Sequence, residues 1–303
     1  MSILSKMMQE SRRPPLACEI TPYAVVAARG GEGPGVITAT YPVDLPSGVL
    51  APGWREENIL DASKLSDAVQ QALSGVSAGK KTVTVIVPDV SVRVLTLDFD
   101  TLPDRLKDAL PIIRFRLRKL LPFDADTAAV TYQTYGQKGQ VRAIVAAMPQ
   151  SIRTEYESIV RAAGFEPGAL LPATLAALPL LQADVPALLV HLAGDSVTIA
   201  IVNGETLLLH RVLELGLNRD EDIAQAIVVA RAYFEDTLGF SPEAVVAAGD
   251  GSYERLRKVL DEQFGGEVHI SLRPLITGSH FLPGAIPQES QRELYGSVAG
   301  ALS

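Results

Sequence analysis

Apolar residues along the chain fall into short buried runs and helical stripes. Leu16 to Ile20 and Ala24 to Ala28 read as two strands around a break at Thr21-Pro22, and a third follows near Val36 to Tyr41. The stretch 42–58 is rich in Pro and Gly and is expected to be a loop. Leu65, Ala68, Val69, Ala72 and Leu73 then recur at the spacing of one helix face. Thr82 to Val87 and Val92 to Leu97 are further strands. Leu106, Leu110, Ile113, Leu117, Leu120 and Leu121 mark a helical region, which Pro111 is expected to kink or divide. Val130 to Tyr135 and Val141 to Ala147 form a hairpin. Ile152, Tyr156, Ile159, Val160 and Ala163 predict a helix stopped by Gly164. A further helix is read over Ala169 to Leu181.

The second half repeats the theme. Ala187 to Leu192, Val197 to Val202 and Thr206 to Val212 are three strands, with Asn203-Gly204 as a two-residue turn. Asn218, with Glu221 three residues on, opens a helix that runs through Ile223, Ile227, Ala230 and Phe234 to Gly239. Ala244 to Ala248 is a strand, Gly249-Asp250-Gly251 a tight turn, and Leu256, Val259, Leu260 and Phe264 mark a last helix. Each half therefore starts with a three-strand meander followed by a helix and another strand, a duplication of topology. The chain divides into a tail (1–15), a first lobe (16–97), an insertion (98–164), a return segment with a connecting helix (165–185), a second lobe (186–280) and a C-terminal segment (281–303).

Composition narrows the function. With 47% hydrophobic and 20% charged residues, the 303-residue chain can bury two cores. A net charge of −8 opposes binding to nucleic acid. Cys18 is the single cysteine and sits in an apolar run, so it reads as a buried hydrophobe in a reducing compartment. The most apolar stretch, 170–192, is broken by Pro172, Pro179, Asp184 and Pro186 and cannot be a membrane-spanning helix. No secretory signal stands at the N-terminus, so a cytoplasmic protein is expected.

Two meander-and-helix lobes with one insertion resemble the actin-like ATPase superfamily, an α/β, ribonuclease H-like two-lobed fold. The stretches that carry a closer resemblance are Leu102-Pro103, Leu120-Leu121-Pro122-Phe123, Val130-Thr131-Tyr132-Gln133, Val141 to Ala147, Ala162-Ala163-Gly164-Phe165 and Leu207 to Gly216. In order and spacing they are similar to the PilM family of type IV pilus assembly proteins, in the FtsA and PilM branch with its inserted subdomain. The resemblance implies a scaffold peripheral at the cytoplasmic face of the inner membrane. Its partners would be the cytoplasmic tail of a PilN-like membrane protein and other pilus inner-membrane components, with a homodimer left open. The tail would lie in a groove between the first lobe and the insertion, walled by the hairpin Val130 to Ala147 and the helix around Ile112 to Leu121. The alternatives are a GspL-like component of type II secretion and a nucleotide-switched, FtsA-like ATPase. A GspL-like chain would continue into a transmembrane helix. An FtsA-like one would end in a basic amphipathic helix, which the last turn after Tyr295 does not provide.

Active members of the superfamily carry Asp-x-Gly at the first turn of each lobe. The carboxylates hold magnesium and the attacking water, and Gly admits phosphate close to the backbone. Here the first turn is Glu19-Ile20-Thr21 and the second His191-Leu192-Ala193. A branched Cβ at Thr21, imidazole at His191 and methyl at Ala193 replace the features the chemistry needs. The segment Ala169 to Leu181, which would supply a further carboxylate, contains none. Gly249, Gly251 and Ser252 preserve the adenosine-side turn, although Ser252 is equally a plain N-cap. The site is read as degenerate: no hydrolysis, no cofactor expected, and ATP with magnesium bound at most weakly. His191, His210, His269 and His280 have no ligand-spaced partners, so no metal site is expected. Arg105, Lys107, Arg114, Arg116, Arg118 and Lys119 form a basic cluster, either a solvated face or a contact with anionic headgroups or an acidic partner.

Overall fold

Strand β1 (Leu16–Ile20) is buried at every position, so layers cover both of its faces. It pairs antiparallel with β2 (Ala24–Gly30), and β2 with β3 (Val36–Asp44), which completes the first meander. On its other side β1 runs parallel to β4 (Thr82–Val87), and β4 parallel to β8 (Glu166–Pro172). A short strand, β14 (His280–Phe281), adds to β3, giving the order β14-β3-β2-β1-β4-β8. The structure, a computed structural model, describes residues 13–303 apart from 34, 56, 138–139, 182–185, 205, 240–243, 250–251, 265–270, 276–279 and 287–294. Helix α1 (Ala62–Val76) inserts its predicted face into this first lobe, and the Asp61 side chain caps it by accepting from the Lys64 amide at 3.0 Å.

The chain then leaves the lobe for the insertion. β5 (Arg93–Phe99), β6 (Ala129–Gln137) and β7 (Gln140–Met148) form a sheet of order β5-β7-β6. Helix α2 (Leu106–Leu117) lies across it and buries Ala109, Ile113 and Leu117 against Leu97, Ala143 and Val145. Of the two outcomes expected for Pro111, a kink or a division, the division does not occur: the helix is continuous from Leu106 to Leu117. Pro111 stands in the second turn, where its missing N–H and its ring disturb only the carbonyl at the start of the helix. Helix α3 (Gln150–Ala162) returns to the first lobe and buries Ile152, Tyr156, Ile159 and Val160.

The segment 169–181, expected to be one helix, is not. Its first part is strand β8, which extends the parallel sheet, and only α4 (Ala173–Ala177) with a 3-10 turn (Leu178–Leu180) is helical. Three prolines, Pro167, Pro172 and Pro179, explain the shortening.

In the second lobe β9 (Ala187–Ala193), β10 (Ser196–Asn203), β11 (Thr206–Glu214), β12 (Ala244–Gly249) and β13 (Ser271–Pro274) are ordered β11-β10-β9-β12-β13. Asn203 still pairs with Thr206, so the turn begins at Gly204, one residue later than Asn203-Gly204 suggests. Helix α5 (Arg219–Leu238) starts where Asn218 donates to Glu221 at 3.0 Å and ends at Gly239. Helix α6 (Ser252–Phe264) follows. Leu188, Val190, Leu192, Val197, Ile199 and Ile201 pack with α5 and α6, whereas Leu189, Ala200 and Val202 join the core of the first lobe. This alternation is the period of two of a strand buried on both faces.

The described part of the C-terminal segment packs on the first lobe. Helix α7 (Gly296–Ala301) is buried at all six positions and packs on the first lobe, where a Cβ at Gly300 would strike the Ala176 carbonyl. Among the described residues no helix is long and apolar enough to cross a membrane.

Candidate functional site

The carboxyl ends of the parallel strands of both lobes converge, the usual place for chemistry in such sheets. From the first lobe come Glu19 at the end of β1, Asp89 just beyond β4 and Thr174 just beyond β8. From the second lobe come His191 on β9 and Thr198 on β10, direct neighbours in the sheet. Both stand on the strand face that carries Leu189 and Ala200, the face turned to the first lobe.

Asp89 is the centre of this cluster and is buried. Its Oδ1 accepts from the Thr174 amide at 3.0 Å, and its Oδ2 accepts from the Thr198 hydroxyl at 2.8 Å and from the Thr174 hydroxyl. The Thr174 hydroxyl has one proton and gives it to Asp89. The His191 ring nitrogen Nδ1, 2.9 Å from that same oxygen, is therefore the donor, with Asp89 Oδ2 a further 3.5 Å contact. Burial alone would raise the Asp89 pKa, but the hydrogen bond and charge of His191, aided by His210 and Thr174, hold it well below the usual carboxylate range. Burial opposes charge on His191 too, yet Asp89 and Glu19 prevail and its pKa is raised. Glu19 behaves differently. Burial pushes its carboxyl up to about 7 against the pull of His191 and a Ser297 hydrogen bond, and Asp89 adds to the rise. Burial lowers the pKa of His210, on β11, with Asp89 opposing and His191 assisting.

Glu19, Thr21, His191, Ala193 and Gly249, predicted from sequence, share one cleft of about 200 Å³ with Tyr23, Gly194 and Ser297. Gly251 lies outside the described residues, and Ser252 begins α6. Gly249 has φ +91°, and a Cβ there would collide with the Leu192 carbonyl, so this glycine serves the packing of β12 on β9. The tips of the two lobes also touch: a Cβ at Gly194 would come within 2.6 Å of the Tyr23 ring. The turn at Gly194 and Asp195 is fastened from below by the Arg219 guanidinium, which donates to both. Sequence reading missed Asp89, Thr174 and Thr198. The available signal was Val87-Pro88-Asp89, an acid immediately past an all-apolar central strand.

A second concavity, of about 310 Å³, separates the first lobe from the insertion. It is lined by Val130 and Thr131 of β6, Ala146 of β7, Arg153 of α3, and Leu170 and Pro172 of β8. β6 and β8 are each the outermost strand of their sheet, so two strand edges flank the groove. The helix around Ile112 to Leu121, expected as a wall, does not line it. α2 packs instead across the insertion's own sheet, which turns its free side away.

Superposition on solved structures places the whole chain. A structure described as the PilM-PilN type IV pilus biogenesis complex matches with a TM-score of 0.76 over 96% of this chain and 98% of that one, at 20% identity. The fold is the actin-like fold. The cytoplasmic domain of EpsL, an inner-membrane component of the Vibrio cholerae type II secretion system, matches less closely, with a TM-score of 0.51 at 12% identity over 78% of this chain and 82% of that. A Bacteroides thetaiotaomicron protein of actin-like ATPase fold and unknown function gives 0.53 at 10% identity over 88% and 94%. No family model matches the sequence, and no curated protein matches it.

The buried cluster makes two predictions. Asp89→Ala leaves the Thr174 and Thr198 hydroxyls without their acceptor and His191 without its charge partner, and should cost about 3–5 kcal/mol in urea unfolding, the loss expected when one partner of a buried ion pair is removed. The second concerns pH. The folded Glu19 pKa is raised from 4.5 to about 7, so its contribution to stability is complete below pH 4.5 and is lost as pH rises through about 7. Across that window wild type should lose about 3 kcal/mol relative to Glu19→Gln. Parallel stability curves for the two proteins would contradict this. Raised His191 acts in the same direction, whereas depressed Asp89 loses its contribution only in strong acid.

Proposed function

We propose that this chain is a scaffold of a type IV pilus-like inner-membrane machine, holding the cytoplasmic tail of a PilN-like membrane protein without hydrolysing ATP. The observation that carries the reading is the groove between β6 and β8. An outer strand offers a row of backbone N–H and C=O groups, and an extended peptide can join it as an added strand. Apolar Val130, Leu170 and Pro172 supply side-chain pockets beside those edges. A solved structure of a PilM-PilN complex resembles this chain over 96% of its length, a likeness that spans both lobes and the insertion. The reading places the chain at the cytoplasmic face of the inner membrane, next to the other inner-membrane components of the machine. The EpsL likeness keeps a secretion counterpart as a second reading of the same scaffold.

The inter-lobe cleft supports a role without catalysis. A magnesium ion calls for ionised, geometrically free oxygen ligands. The Asp89 oxygens are already engaged by threonine and histidine donors, and Glu19 is half protonated near neutral pH. Tyr23 against Gly194 occupies the gap between the two turns where phosphates would approach. The cleft, about 200 Å³, falls below the roughly 300–1,000 Å³ of ordinary ligand pockets.

Two measurements test these statements. A peptide carrying the cytoplasmic tail of the adjacent PilN-like protein should bind in titration calorimetry, and Ala146→Trp, which fills the groove, should weaken it at least about tenfold, or 1.4 kcal/mol. Unchanged affinity in that variant sinks the groove assignment. Millimolar ATP with magnesium should leave the melting temperature unmoved, because a ligand that binds only the native state must raise it. A saturable, magnesium-dependent rise would return nucleotide to the mechanism.

A further inference from the structure

The basic cluster of the insertion is left unused by the groove and the cleft. Helix α2 buries Ala109, Ile113 and Leu117 inward, so it is held rigidly as a ridge on the insertion. Its outer side shows Phe115 at 63% exposure and Ile112 at 40%, with Lys119 one turn on and Lys107, Arg116 and Arg118 flanking them. Six of the fifteen residues from Arg105 to Lys119 are basic and one, Asp108, is acidic, in a chain whose net charge is −8. Asp108 lies in the first helical turn, two turns from Phe115, where the helix dipole favours an acid.

The local partners leave that charge standing. Arg114 donates to the carbonyls of Ala125 and Ala128, and Arg116 to the carbonyl of Asp98, which orders both guanidiniums without neutralising them. Arg118 meets a carboxylate, Asp126, at 2.9 Å, and is the member of the cluster with an ion pair among the described residues. None of the cavities described above is lined by α2. A protruding ridge without a pocket offers little to a peptide. It suits a flat, deformable, anionic surface into which an aromatic and an aliphatic side chain can sink while lysines and arginines meet headgroups.

We propose that the outer side of α2 docks on an anionic lipid bilayer, through Ile112 and Phe115 inserted at the interface and Lys107, Arg116 and Lys119 on the phosphates. This deepens the reading of the chain as a scaffold at a membrane, and it requires no partner protein. Because the chain carries a net charge of −8 despite this cluster, the rest of it is acidic on balance, and the basic ridge favours one orientation on an anionic bilayer.

The test is flotation of the full chain with vesicles. An equal mixture of phosphatidylethanolamine and phosphatidylglycerol should carry the protein, and phosphatidylcholine alone should not. Binding should fall as salt is raised, since exposed charges are screened. Lys107→Gln with Lys119→Gln should weaken partition by roughly twenty-five-fold, about fivefold per lysine. Ile112→Ser with Phe115→Ser should abolish it. All four positions are exposed, and an unchanged melting temperature would verify folding. Equal binding to neutral vesicles, no binding to anionic ones, or variants that bind like wild type would overturn the proposal. So would self-association lost in the Phe115 variant without any vesicle binding, which would make the ridge a contact between copies. The vesicle variants should still bind the tail peptide, and Ala146→Trp should still bind vesicles, so failure of one idea is distinguishable from failure of the other.

Discussion

A carboxylate buried between two lobes is costly unless every lone pair is satisfied, and Asp89 sets that constraint here. A lone charge in such a place would lose several kcal/mol of hydration. The lobes meet the requirement jointly: Thr174 belongs to the first, His191 and Thr198 to the second. Neither lobe alone can solvate Asp89, so the cluster penalises any opening that does not admit water. These residues thus act as a fastener between the halves. His191, on the lobe-facing side of β9, is a good partner for a buried carboxylate.

The fold was readable from periodicity where one pattern had one meaning. The face of α1 from Leu65 to Leu73 and the two meanders follow directly from spacings of 3.6 and 2. Reading went wrong where prolines and apolar runs carry two meanings. Pro111 near a helix start does little harm, whereas Pro167 and Pro172 favour the extended strand β8 over a helix. An apolar run such as 169–181 fits either state, and only pairing with β4 decides it.

The site was partly legible for a related reason. Glu19, His191 and Gly249 occupy the ends of recognisable strands, and the cleft brings them together. Asp89, Thr174 and Thr198 are separated by 85 and 109 positions along the chain, so their meeting is a product of topology and not of local sequence. A concavity between lobe and insertion was anticipated, and the one present there is lined by β8 and not by α2. Which strand ends up outermost depends on sheet order, a non-local property.

The closure of the first lobe by the last elements of the chain has a consequence for biosynthesis. The Thr40 hydroxyl donates to the Ala285 carbonyl at 2.5 Å across 245 positions, β14 pairs with β3, and α7 delivers Ser297 to Glu19. A nascent chain on the ribosome therefore holds β1 to β3 without their final cover until residues up to 302 have emerged. Contacts so distant in sequence form late and slowly. During translation the sheet stays partly unmade, and the first lobe matures only after the second lobe has been synthesised.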